Sequence, residues 1–236
     1  MPGSLHDRVL DALGESIVSG ELAPGTVMRA EQIEHEHGVS RSVVREAVRV
    51  LQSLGLLTIV KRVGITVLAS ENWRVFDPFV IRWRLAGERG AQLRSLTELR
   101  CAVEPSAAEL AARHAPDAFA EPLVSLAARM RSVGRSGDLD AFLELDIEFH
   151  SRVLAASGNE MFAALDSVIA EVLRGRTELG LMPEKPHEEA LALHLDVADA
   201  VHGRRPAEAH EAMDQIMRRT VAEVEGVWQA VDRVFR

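Results

Sequence analysis

The chain has 236 residues, 47% hydrophobic and 27% charged, which suits one large or two modest globular domains with a real core. It has no apolar run of the roughly 18 to 20 residues that a membrane span needs, and its first residues, Met1 to Asp7, lack the basic and apolar regions of a signal peptide. The single cysteine, Cys101, excludes an internal disulfide framework, suits a reducing cytoplasm and reads as a small core residue on a helix.

A net charge of −9 argues at first against a nucleic-acid partner, but the distribution matters more than the sum. Residues 41–62 carry five basic side chains, Arg41, Arg45, Arg49, Lys61 and Arg62, against Glu46 alone. The first 70 residues are nearly balanced, with seven basic and eight acidic side chains, so the acidity lies further on. A basic stripe on a balanced head, joined to an acidic body, suits a DNA reader with a separate sensor.

In chain order, Leu5, Val9, Leu10, Leu13 and Ile17 recur at helical spacing, and Gly20 with Pro24-Gly25 stops that helix. A short helix over Ala30 to His37 ends at Gly38, a good left-handed cap. Ser40 is then expected to cap a helix whose apolar face is Val43, Val44, Ala47, Val48, Leu51 and Leu54. Two β-rich runs, Leu56 to Val60 and Ile65 to Leu68, flank Lys61-Arg62-Val63-Gly64 and predict a hairpin. Ser70 to Pro78 reads as a connection. Helical stretches follow over Leu93 to His114, Ala118 to Val133, Leu139 to Ala156, Glu160 to Leu173, Glu188 to Val201, and Pro206 to the end. The expected fold is mainly α: a winged helix-turn-helix over 1–70, a linker and first connecting helix over 71–89, and an all-α antiparallel bundle over 90–236.

Arg41, Arg45 and Arg49 fall at i, i+4 and i+8, opposite the apolar face of their helix. Arginine's planar fork suits guanine edges and phosphates, and the small polar Ser42 can meet either. The hairpin tip around Arg62 and Gly64 reads as a wing for the minor groove, glycine allowing close approach. The plainer alternative is a solvated helix face partnered by Glu46 and Glu31.

With these residues on view, the stretch from 5 to 70 resembles the GntR superfamily of bacterial regulators. The similarity rests on Pro24-Gly25, Glu31, Gly38-Val39-Ser40-Arg41-Ser42-Val43-Val44-Arg45-Glu46-Ala47-Val48, Leu51, Gly55-Leu56 and Val63-Gly64. It implies DNA contacts at Arg41, Ser42, Arg45, Arg49, Arg62 and Gly64. The family's Leu-Pro-Ser-Glu before the second helix is Met28-Arg29-Ala30-Glu31 here, which makes Arg29 a further candidate.

In the bundle, Asp146 and His150 lie four apart and project from one helix face. A carboxylate and an imidazole at that spacing suit a divalent metal, and His194, on a mostly apolar helix, is the best third ligand. A buried Asp–His pair beside an unrelated core histidine remains the alternative. His187, in a loop, and His202 and His210, flanking Gly203 to Pro206, read as surface histidines. Arg100 on a helix facing an apolar interior calls for a counter-charge, either an effector's carboxylate or Glu104 one turn on. Arg219 and Thr220 sit a turn after Ile216 and can face the same cavity.

Asp146-x-x-Phe149-His150 with Leu154 and Ser157-Gly158-Asn159, and Glu98-Leu99-Arg100 with Glu104 and Ala107-Ala108, resemble the FadR-like branch with its FCD domain, over about residues 90 to 220. The resemblance implies an Asp, three His and a carboxylate effector. It places the fourth ligand at Ile216, so the complete set is absent. Trp73-x-x-Phe76-Asp77-Pro78 through Trp83-Arg84-Leu85 further resembles regulators of sugar-acid catabolism, of the galactonate and gluconate type. The expectation is a cytoplasmic homodimer, with no role at a membrane, that binds a palindromic double-stranded operator and senses a small organic acid. Its cofactor would be a divalent ion, zinc first, with nickel or manganese left open. The competing function is a metal-dependent hydrolase built on Asp146, His150 and His194, which lacks an evident general base.

Overall fold

A computed structural model describes residues 4–87, 89–183, 185–229 and 231–233. The chain divides into two compact units, one extending to Arg89 and the other spanning Gly90–Arg233.

The first unit contains α1 (Leu5–Val18), β1 (Val27–Met28), α2 (Ala30–His37), α3 (Arg41–Ser53), β2 (Leu57–Val60), β3 (Gly64–Val67) and α4 (Pro78–Gly87). Ser4 and Asp7 start α1 with a reciprocal capping box: the Ser4 hydroxyl accepts the Asp7 amide at 3.2 Å, and the Asp7 carboxylate accepts the Ser4 amide at 2.9 Å. Gly38 closes α2 in the left-handed region at φ 63°. Beyond the turn, α3 buries Val44, Ala47, Val48 and Leu51 against Val9, Leu10, Leu13 and Ile17 of α1. Ser40 is the N-cap residue of α3 as expected, but its hydroxyl shares a 2.9 Å hydrogen bond with that of Ser42 instead of accepting from a helix amide.

The predicted hairpin is part of a three-stranded antiparallel sheet in the order β1-β3-β2, with Met28 opposite Ile65 and Leu57 opposite Val67. A two-residue strand such as β1 has no alternation to read, so only pairing reveals it. A Cβ on Gly64 would stand 2.7 Å from the Met28 carbonyl oxygen. The β1–β3 approach therefore requires glycine there, whatever the wing contacts.

The expected connecting helix, α4, is part of this unit's core. Trp83 is buried on α4 and donates its indole N–H to Asp11 Oδ1 of α1 at 2.9 Å. Gly14 of α1 lies under its ring, and a Cβ there would come within 2.5 Å of it.

The second unit contains α5 (Arg89–His114), α6 (Asp117–Ser136), α7 (Leu139–Ala156), α8 (Glu160–Ala163), α9 (Asp166–Glu178), α10 (Glu188–His202) and α11 (Pro206–Val224). An alanine face on α5, comprising Ala107, Ala108, Ala111 and Ala112, packs with Leu123 and Met130 of α6, Phe149 of α7, Val197 of α10 and Met213 of α11. Cys101, expected in this core, is only partly buried at its edge.

Two helix expectations are corrected. The single helix over Glu160 to Leu173 is two, because the chain turns tightly at Leu165, whose amide bonds back to Phe162, and α9 then runs on to Glu178. The last helix was expected to reach residue 236, which lies outside the described residues. It ends at Val224 instead, and Arg94 of α5 donates to the carbonyls of Trp228 and Val231, holding the following segment against α5. Among the described residues no helix is long and apolar enough to cross a membrane.

Candidate functional site

On the first unit, the side of α3 opposite its buried stripe exposes Arg41, Ser42, Arg45 and Arg49. Glu46 sits 3.5 Å from Arg45 Nε and 3.0 Å from Arg49 Nη1, all three side chains being roughly half exposed or more. Solvated pairs of this kind contribute little and yield readily to phosphate. Arg29, just ahead of α2, and Lys61 and Arg62 at the hairpin tip are exposed as well, Arg62 at φ 67°.

On the second unit, the polar residues singled out in the bundle converge. Asp146 and His150 come from α7 and His194 from α10, and all three are buried. Asp146 Oδ1 lies 3.2 Å from His194 Nε2 and 3.5 Å from His150 Nε2. One candidate donor atom from each residue falls within 4.8 Å of the other two. Phe149, fully buried, meets His150 and His194 edge-on at 5.8 and 5.1 Å between centroids.

The second nitrogen of each imidazole is already committed. His194 Nδ1–H donates to the Ala190 carbonyl at 2.7 Å, and His150 Nδ1–H donates to Glu104 of α5. Both Nε2 atoms therefore turn toward Asp146, and that of His194 has no hydrogen-bond partner although it is buried. A lone pair held 3.2 Å from a carboxylate oxygen without a proton aligned between them suits a cation. By donor set, tautomer and orphaned nitrogen, these three residues fit a divalent metal.

Glu104 organises the other side of the cluster. It accepts from Arg100 Nε at 2.5 Å as well as from His150, and all three side chains are buried. Burial pushes the Glu104 carboxyl up, but Arg100 and His150 outweigh it and hold the pKa at about 2. Burial opposes the charge on His150, yet Glu104 and Asp146 raise its pKa to about 9. Asp146 is penalised by burial too, and the His150 and His194 imidazoles beside it nevertheless hold it well below the usual carboxylate range. Of the two expectations for Arg100, the ion pair with Glu104 is the one present. Glu104 satisfies one edge of its guanidinium, while Nη1 is buried without a partner.

These groups line one cavity, whose interior measures about 50 Å³. Arg219 and Thr220 of α11 line it as expected, and Arg219 pairs with the exposed Glu189. Ile216, at the position expected for a fourth ligand, lines it as an apolar wall. His187 lies in the loop as expected, exposed just ahead of α10, and lines the cavity. His202 is exposed at the end of α10, and His210 is half-buried beside Glu109. Sequence reading missed Arg176 of α9, which is 4% exposed in the cavity wall. Its signal was there: Ile169, Val172 and Leu173 form a buried stripe that Arg176 continues.

A winged helix-turn-helix unit joined to a helical unit with a polar cavity defines a class of DNA-binding regulators. The family model for bacterial regulatory proteins of the gntR family matches residues 5–67, and that for the FCD domain matches residues 95–219. The chain belongs to the gntR family of transcription regulators and carries an FCD domain. It is 29% identical over 211 residues to the galactonate operon transcriptional repressor of Escherichia coli (strain K12), covering 87% of this chain and 90% of that protein. It is 28% identical over 203 residues to the HTH-type transcriptional regulator LutR of Bacillus subtilis (strain 168), covering 84% and 90%. Its fold is shared with a solved GntR protein of Streptococcus agalactiae at a TM-score of 0.51 and 24% identity, covering 91% and 98%. With the family in hand, the hydrolase alternative lapses.

Proposed function

We propose that the protein is a homodimeric cytoplasmic repressor that holds a palindromic operator through α3 and the wing, and that a small carboxylate such as a sugar acid releases it. In this reading residues 1–70 read DNA, 71–89 connect, and 90–236 sense the acid and dimerise. Arg41, Ser42, Arg45 and Arg49 would face the major groove, with Arg29, Arg62 and Gly64 beside them. The likeness to a galactonate operon repressor supports a sugar acid.

The observation that carries the sensor reading is the convergence of Asp146, His150, His194 and Arg100 on one cavity, with His194 Nε2 and Arg100 Nη1 buried and unpartnered. A buried polar atom without a partner costs about 1 to 3 kcal/mol, so an ion or acid that met these two would be favoured by it. Asp146, His150 and His194 would hold a divalent ion, zinc first and nickel or manganese as alternatives. When bound, the ion supplies a Lewis-acidic anchor for a carboxylate. Arg100 offers Nη1–H to the acid, Glu104 fixes the orientation of both Arg100 and His150, and Ile216 and Phe142 exclude water from the wall.

Acid binding releases DNA if it favours one arrangement of the protein over the operator-binding one, and a coupling of about 1 to 3 kcal/mol suffices. Gel-shift titration on an operator fragment selected from a random library tests this. At least one sugar acid is expected to weaken the complex of the metal-loaded protein. Operator affinity indifferent to every acid and to metal would remove the sensor.

A further inference from the structure

We propose that this cavity reads only the acid end of its ligand, the carboxylate and the carbon beside it, and leaves the rest of the chain at its mouth, so that one site takes acids of different length. This rests on the acid-sensor reading above and says which part of the acid that site recognises.

The interior measures about 50 Å³. A buried water needs about 10 to 15 Å³ of such space, and a cavity that takes one benzene ring measures about 150 Å³. A carboxylate with its neighbouring carbon matches the interior, whereas a six-carbon acid exceeds it severalfold.

The atoms that call for a ligand cluster at one end of it. Asp146, His150 and His194 would hold the ion there, and Arg100 Nη2 stands 3.5 Å from His150 Nε2. His194 Nε2 and Arg100 Nη1, both buried and without a partner, belong to this cluster. A carboxylate bound at that end would accept from Arg100 Nη1–H, a charge-assisted bond that a hydroxyl makes less strongly.

Among the described residues nothing comparable waits for the far end of the acid. Arg176 and Arg219 already have their counter-charges in Glu223 and Glu189. Between α9 and α10 the chain lines the cavity with Met182, Pro183 and Pro186, whose side chains have no N–H or O–H to offer. All three are half-buried and His187 after them is exposed, so this side of the cavity meets solvent. A hydroxyl that passes out along it keeps water as its partner, and trading water for water adds little affinity.

Calorimetric titration of the metal-loaded full-length protein tests this with four 2-hydroxy acids: glycolate, glycerate, a four-carbon aldonate and a six-carbon aldonate, the last three of one configuration at C2. All four are expected to bind, the three longer acids within about fivefold of one another. The six-carbon alditol, the same chain without its acid end, should not bind. Ile216→Phe, which crowds the interior from its apolar wall, should weaken all four acids by at least about tenfold, glycolate included. If the six-carbon acid binds more than about fivefold more tightly than glycerate, or the alditol binds, the chain is read and the proposal is wrong while the acid sensor stands. If glycolate keeps its affinity in folded Ile216→Phe, the acid end lies outside this interior and the proposal is wrong. If none of the four acids binds, the acid sensor falls with it.

Discussion

His194 Nε2 lies 3.2 Å from Asp146 Oδ1, while the other nitrogen of that ring is spent on the Ala190 carbonyl. Two helices, α7 and α10, are packed so that a lone pair and a carboxylate face each other across a gap that a cation fits. If that is the purpose of the gap, purified protein should carry about one divalent ion per chain, readable by elemental analysis. Removing a ligand as His194→Ala should lower the metal affinity by at least about tenfold, and a chelator should lower the melting temperature of the wild type. A bound ion at 100 times its dissociation constant stabilises by about 2.7 kcal/mol. A chelator without effect on melting, together with equal metal content in wild type and variant, would remove the metal.

Metal and protons compete for His150, whose pKa is raised from 6.5 to about 9 against the cost of burial by Glu104 and Asp146. The ion must displace that proton, so its apparent affinity should climb about tenfold per pH unit across the neutral range and level off past about pH 9. In metal-free protein the sign reverses. A group whose folded pKa is raised contributes stability that is whole below its unfolded value of 6.5 and is lost as the pH rises through about 9. Metal titrations and chelated melts at several pH values check both slopes. Profiles flat from about pH 6 to about pH 8 would contradict the pairing with Glu104.

Glu104 is the hinge of the buried charges, taking Arg100 Nε and His150 Nδ1–H together. Glu104→Ala strands a buried guanidinium and should cost about 3 to 5 kcal/mol in denaturant unfolding. A loss under about 1 kcal/mol would mean that Arg100 finds another counter-charge.

On the other unit, Arg45→Ala should weaken binding to the selected operator by about 1 to 3 kcal/mol and relax sequence preference at one position. Lys61→Ala at the wing should instead weaken binding evenly across sequences and reduce the salt slope by about one. Unchanged operator affinity in Arg45→Ala sinks the assignment of α3 as the reading helix.

Gly14 sits within α1, where glycine normally costs about 0.5 to 1 kcal/mol relative to alanine. Here a Cβ would come within 2.5 Å of the Trp83 ring, so Gly14→Ala should destabilise, by about 1 to 3 kcal/mol. The sign alone decides: a stabilising Gly14→Ala would show that α4 leaves α1 easily.

The helices of both units are legible along the chain because each writes its own period and its own ends. Leu5 to Ile17 shows the stripe of α1, and Gly38 closes α2 in the left-handed conformation that glycine reaches most cheaply. The same local logic put Asp146 and His150 on one face and Arg41, Arg45 and Arg49 on another. It could not show β1, which exists only as pairing with β3, nor the turn at Leu165.

By itself the sequence determined the apolar stripe of each helix, the exposed arginine face of α3, and that Arg100 was a charge on an apolar stripe. Only the tertiary structure decided what those buried charges meet. Glu104 reaches His150 across 46 residues, and Arg176 reaches Glu223 across 47. Periodicity sets which face of a helix turns inward, but not which face of which helix it finds there. That choice belongs to the packing of the whole bundle, and the site is made of nothing else.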